Sequence, residues 1–139
     1  MRTFSPAARR RWLTGLCGWM VFSFTVGALT KFSSGETFFG PAYSEKFVDW
    51  GYPSWFRFVV GGGELLGAAL LLRVRTRWWG AGLLLVITSG AVVTHVAHLD
   101  PVGESLSAPL HVVLSALLVW VYRPAGTRGR RPVASGGGG

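Results

Sequence analysis

Cysteine, acidic residues and charge in general are scarce in this chain of 139 residues. The single cysteine, Cys17, excludes an intramolecular disulfide, a paired-thiol redox motif and a cysteine-rich metal site. It reads as a small apolar packing residue. Only 14% of residues are charged while 50% are hydrophobic, a balance unsuited to a water-soluble domain. Six acids against fourteen Lys and Arg leave a formal net charge of +8, which in a soluble protein would point to nucleic acid. Here the basic residues lie between and beyond apolar runs of bilayer length, and no nucleic-acid-binding module accompanies them. They read as topology signals and anionic-lipid contacts, with no nucleic-acid partner. A catalytic triad and a nucleotide fingerprint are missing as well. Gly61, Gly62 and Gly63 form no phosphate cradle because they lie inside an apolar run. Without HxxxH or ExxH spacing, no metal site is expected.

The long hydrophobic runs that are present predict an all-α membrane protein of one domain, residues 13–123, folded as a four-transmembrane-helix bundle. The spans fall at about 13–31, 56–72, 78–96 and 108–122. Residues 1–12, with Arg2, Arg9, Arg10 and Arg11, form a basic start. Val26-Gly27-Ala28 would pass as a signal-peptide cleavage site, but the later spans need a fourth partner, so the first run is expected to be retained. Between spans one and two, Tyr43, Phe47 and Trp50 recur at i, i+4 and i+7, with Glu45, Lys46 and Asp49 on other faces. Gly51 and Pro53 then supply a stop, which predicts a short amphipathic helix lying along the membrane surface. Pro109 fits the first turn of span four. Residues 124–139, with Arg128, Arg130 and Arg131 followed by Gly, Pro and Ser, are expected to be a disordered cytoplasmic tail.

Charge orients the bundle. One side carries Arg2, Arg9–Arg11, Arg73, Arg75, Arg77, Arg123, Arg128, Arg130 and Arg131; the other has Lys31, Lys46 and Arg57 with five of the six acids. By the positive-inside rule the protein lies in the cytoplasmic membrane, with both termini in the cytoplasm. Tryptophans agree, with Trp12, Trp78, Trp79 and Trp120 at the inner interface and Trp50 and Trp55 at the outer one.

The sixth acid, Glu64, sits inside the second span. A carboxylate at that depth costs about 3 kcal/mol on permissive scales, so it faces a bundle interior and marks a functional place. Gly63 and Gly67 beside it form a small-xxx-small pair that admits a neighbouring helix. Glu64 lies roughly 12 Å from the outer end of its span, by helical rise. Side chains tilt toward the N-terminus of their helix, so Glu64 reaches outward while Lys31 and His95 reach inward. These three are expected to converge as the site, with Glu64 and His95 carrying the chemistry. Lys31, Tyr52 and Thr94 would contribute to binding. His111 is expected to lean toward Asp100 and Glu104. Alternatively, Glu64 and His95 only fasten helices together, Lys31 snorkels to headgroups, and His98 and His111 are interfacial. His95 and His111 on adjacent spans have the disposition a bis-histidine haem needs, but two histidines are a thin basis and haem is not expected.

One family resemblance collects these residues. Ala28-Leu29-Thr30-Lys31-Phe32 closing the first span, Gly51-Tyr52-Pro53, Gly63-Glu64-Leu65-Leu66-Gly67-Ala68, a basic hairpin and Thr94-His95 closing the third resemble the DoxX-like family of small four-helix membrane proteins. The likeness covers roughly residues 13–123. The family is named after a membrane subunit associated with thiosulfate:quinone oxidoreductase, so the likeness implies either a membrane oxidoreductase component or a relative without a defined activity. Lys31, Glu64 and His95 then stand for the family's polar motif. No polar outer domain of the fused thiosulfate enzymes is present, which argues against thiosulfate chemistry in this chain alone.

The leading expectation is a membrane subunit of a respiratory or redox-protective complex, with Glu64 and His95 handling protons near a quinone headgroup. Its partners would be the bilayer, other membrane subunits and the quinone, with no cofactor held by the chain itself. The alternative is a non-catalytic accessory or anchor subunit packed against a larger complex. A solute or proton pathway comes third, because four short helices without internal repetition rarely make an alternating-access carrier.

Overall fold

The computed structural model describes residues 5–37 and 40–124. Arg2, Arg128, Arg130, Arg131 and nearly all of the expected tail lie outside the described residues. The fold is all-helical: α1 Pro6–Phe32, α2 Tyr43–Asp49, α3 Phe56–Leu72, α4 Arg77–Ala97, α5 Val102–Ser105 and α6 Ser107–Tyr122. Among the described residues β structure is limited to an isolated bridge between Thr37 and Gly40.

The first helix begins at Pro6, seven residues ahead of the apolar run. Ser5 caps it by accepting the Ala8 N–H at 3.2 Å, and proline follows in the first turn, where its missing N–H costs nothing. Arg9, Arg10 and Arg11 are therefore helical. The aromatic periodicity of residues 43–50 becomes α2, with Phe47 buried and Gly51 at φ +79° turning the chain out of it. A further single turn, α5, precedes α6.

Three stretches are long and apolar enough to cross a membrane: Pro6–Phe32, Arg77–Ala97 and Val102–Tyr122. At 17 residues α3 is shorter, yet it sits between two of them, packing on α1 by one face and α4 by another. Helix α4 in turn packs on α6. Side chains of α1 and α6 meet across the bundle, where Phe24 stands edge-on to His111 at 5.0 Å. A core of Cys17, Met20, Phe24, Ala68, Leu71, Ala81, Leu84 and Leu118 fills the centre.

Glycine sets the spacing of the helices. A Cβ on Gly80 would lie 2.7 Å from the Gly67 carbonyl oxygen, and one on Gly67 would lie 2.6 Å from Leu84. The backbones of α3 and α4 touch there, as small residues permit. Gly61 faces the other way, its absent Cβ 3.2 Å from the Phe32 ring on α1. Thus α3 presents Gly63 and Gly67 to α4 while Gly61 and Glu64 look toward α1. Trp12, Trp19, Phe22, Leu66, Trp79, Val86, Val113 and Trp120 are exposed. Together they give an apolar exterior suited to lipid.

Candidate functional site

Two polar centres lie toward the end of the bundle opposite Arg73, Arg75 and Arg77. In the first, Lys31, in the last turn of α1, meets Glu64 in the middle of α3. The lysine Nζ donates to Glu64 Oε1 at 3.0 Å and to the Gly27 carbonyl at 3.3 Å. Glu64 Oε2 is also 3.0 Å from Nζ, at an angle unsuited to a hydrogen bond, and among the described residues it receives no other donor. Lys31 and Glu64 are 8% and 7% exposed, so each charge relies on the other for what water would supply. Above them the Tyr43 ring of α2 covers the ammonium at 4.7 Å, a cation–π contact in a dry place. Gly27 leaves space beside the pair: a Cβ there would stand 3.7 Å from Glu64 Oε2 and 3.8 Å from Lys31 Nζ.

The second centre ties α2 to the far end of α4. His95 Nδ1 donates to Asp100 Oδ2 at 2.6 Å, and the Trp50 indole N–H donates to the same oxygen at 3.1 Å. Trp50 also stands edge-on to the His95 ring at 5.2 Å. Burial pushes the Asp100 carboxyl upward, but the hydrogen bonds from His95 and Trp50 and the charges of His95 and Lys46 outweigh it. Its pKa therefore lies below the ordinary carboxylate value. Nearby, Lys46 of α2 is ion-paired with Glu104 of α5. Thr94 Oγ1 donates to the Gly90 carbonyl at 3.0 Å, so in its 3.2 Å contact with Tyr52 the tyrosine hydroxyl is the donor.

Of the five residues singled out from sequence, Lys31 and Glu64 thus form one pair and Tyr52 and Thr94 another. His95 departs from expectation: its Nδ1 turns to Asp100 rather than joining Glu64. The loop after α4 folds back, with Leu99 in the left-handed region at φ 53° and the Asp100 N–H bonded to the His95 carbonyl at 3.1 Å. This sets the carboxylate beside the imidazole of the preceding turn.

His111 also departs from expectation. Its Nδ1 donates to the Ser107 carbonyl at 2.7 Å, which leaves Nε2 to accept from Ser23 of α1 at 2.7 Å.

Sequence reasoning missed Tyr43, Gly27, Asp100 and Trp50 as members of these centres. Tyr43 had a signal, since it opens the amphipathic helix and points the same way as Phe47. It also missed a polar anchor at the arginine end, where Arg77 donates to the Tyr122 hydroxyl at 2.8 Å and to the Leu71 carbonyl at 2.9 Å.

Among the described residues no group of three or more His, Cys, Asp or Glu could hold a metal ion. Comparison with curated proteins and with solved structures found no match. The family model described as the DoxX-like family matches residues 15–121, a stretch that holds both polar centres and runs from within α1 to within the last turn of α6. The chain belongs to the DoxX-like family of membrane proteins.

Proposed function

We propose that this chain is a four-span subunit of a respiratory or redox-associated complex in the cytoplasmic membrane, and that its Lys31–Glu64 pair handles protons beside a bound quinone. Helix α3, at 17 residues, is about 26 Å long and serves as the fourth span beside α1 and α4. Both termini lie in the cytoplasm under the positive-inside rule.

The observation that carries this reading is the ion pair buried between α1 and α3 under Tyr43. The pair sets a carboxylate, which can accept a proton, beside an ammonium, which can donate to a carbonyl. Mild-detergent purification followed by lipid extraction and mass spectrometry tests it. The expected result is a co-purifying quinone, held by the wild type and depleted in Glu64→Gln. No quinone in the wild type, with activity intact in Glu64→Gln, overturns the reading. A reporter fused after residue 124 should be active only in the cytoplasm.

A second reading, a non-catalytic accessory or anchor subunit, draws on a specific feature: Lys31 joins α1 to α3, and the His95 ring packs against Trp50 at the end of α2. Recovery only with stoichiometric neighbours, and function that survives His95→Ala, would favour it.

A further inference from the structure

Four of the basic side chains have partners inside the fold: Lys31 and Lys46 are ion-paired, Arg57 donates to the Ser33 carbonyl, and Arg77 donates to Tyr122 and Leu71. The others stand apart. Arg9, Arg10, Arg11, Arg73, Arg75 and Arg123 are exposed, and among the described residues none of them meets a carboxylate. They share one end of the bundle, because Arg77 ties the end of α3 to the end of α6 there and Cys17 of α1 lies 4.0 Å from the Tyr122 hydroxyl. All six acids of the chain lie elsewhere, within α3 or in the stretches that join α1 to α3 and α4 to α6.

Arg10, Arg11 and Thr14 surround a shallow hollow of about 390 Å³, a volume in the range of small-ligand sites. Beyond it the surface of α1 stays open. Arg11, Thr14, Gly18 and Phe22 follow one another at steps of three and four residues, so they share one face of the helix. A Cβ on Gly15 or Gly18 would meet nothing within 4 Å, and the exposed Trp19 and Phe22 rings, 6.1 Å apart, stand next along the helix. From Arg11 to Phe22 the helix rises about 16 Å, one leaflet's share of a hydrocarbon core about 30 Å thick.

We propose that this face of α1 binds one anionic diacyl phospholipid, its phosphate held by Arg10, Arg11 and the Thr14 hydroxyl and one acyl chain running over Gly18 to the Trp19 and Phe22 rings. Charge and length both select this occupant. A guanidinium matches a phosphate through two parallel hydrogen bonds, and here two of them have no carboxylate partner to give up. A free phosphate ion would fill the hollow and leave the apolar face uncovered. A zwitterionic lipid would cover the face but bring its own cation to the arginines. The site lies at the other end of the bundle from Lys31 and Glu64 and does not depend on their role.

Native mass spectrometry of the full chain in detergent, titrated with phosphatidylglycerol or with phosphatidylcholine of identical acyl chains, tests the proposal. One phosphatidylglycerol should bind about 25-fold tighter than phosphatidylcholine, at about fivefold for each arginine facing an anionic lipid. In Arg10→Gln/Arg11→Gln the ratio should fall to near one. Arg73→Gln/Arg75→Gln removes the same charge from the same end and should keep most of it. Gly18→Leu, which fills the open face and leaves the charge alone, should weaken both lipids alike. Glycerol phosphate in excess should not displace the bound lipid.

Equal losses in the two double variants overturn the proposal, because a diffuse basic surface would then explain the preference. Phosphatidylglycerol bound no tighter than phosphatidylcholine overturns it too and leaves the arginines to topology or to an acidic partner. Binding undisturbed by Gly18→Leu, or lost to glycerol phosphate, reduces the site to an anion hollow without a seat for the chain, which also sinks it.

Discussion

The chain contains two lysine–glutamate pairs whose surroundings differ. Lys31–Glu64 joins two long helices, with side chains 10% and 9% exposed; Lys46–Glu104 joins two short helices at the acidic end, with 13% and 25%. The chemistry is the same. What changes is the alternative each charge has when its partner is taken away. Glu104 can turn to water, whereas Glu64 is enclosed by α1, α3 and Tyr43. A pair with both members buried is therefore costly to break from one side only, while a pair whose carboxylate is partly exposed loses less.

The sharpest way to break this contrast is to remove Lys31. Lys31→Met should destabilise the protein by about 3 kcal/mol or more, because it leaves a buried carboxylate without its cation. Glu64→Met should cost a similar amount, and the double variant should regain most of the loss, since two apolar side chains can pack where two charges were. Thermal unfolding in detergent gives the cycle. Additive losses would show that the two charges do not depend on each other.

Next in size is the contact that holds α3 on α4 and so fixes Glu64 opposite Lys31. Gly80→Ala places a methyl 2.7 Å from the Gly67 carbonyl and 3.1 Å from the Leu71 backbone nitrogen, neither of which is a flexible side chain. The helices must separate, at a cost of about 1 to 3 kcal/mol. Gly82→Ala, with nothing within 4 Å of its Cβ, should be neutral within about 0.5 kcal/mol. Equal effects at the two positions would mean that the close approach does not set the spacing.

These contrasts also mark what the sequence could disclose. The helices were legible because apolar runs of bilayer length and the Tyr43/Phe47/Trp50 periodicity are local signals. Lys31 and Glu64 were legible as partners because helix direction alone brings their side chains toward one level. His95 was misplaced because its partner is set by a loop, where Leu99 adopts a left-handed conformation that neither spacing nor hydropathy encodes. The early start of α1 was available in Ser5-Pro6 and was hidden by reading hydrophobicity alone. The role of Tyr43 depends on how α2 folds back over α1, which is tertiary information.

A pH titration sharpens the comparison at the acidic end. Asp100 has a folded pKa below its unfolded one, so its contribution to stability is fully present above about pH 4 and is lost as pH falls through the folded value. Acid should therefore loosen α2 from α4 first. The change is readable as faster exchange of the Trp50 indole proton, which is bonded to Asp100 at 3.1 Å. In Asp100→Asn exchange should be faster at neutral pH and nearly flat through the same acid range. A wild-type profile flat from pH 6 to 2 would remove Asp100 from the account.

The smallest effect is expected where the comparison began. Lys46→Gln should cost under about 1 kcal/mol, and salt should reduce even that, because the freed Glu104 is partly exposed. One feature pushes the other way: the Glu104 carboxyl lies against Gly40, where an added Cβ would stand 3.2 Å from it, so that side is closed to its retreat. A loss above about 2 kcal/mol, insensitive to salt, would show that confinement rather than depth in the bundle makes a charge pair indispensable. The distinction between the two lysine–glutamate pairs would then rest on how freely the abandoned carboxylate can turn, and Lys31–Glu64 would differ from Lys46–Glu104 only in degree.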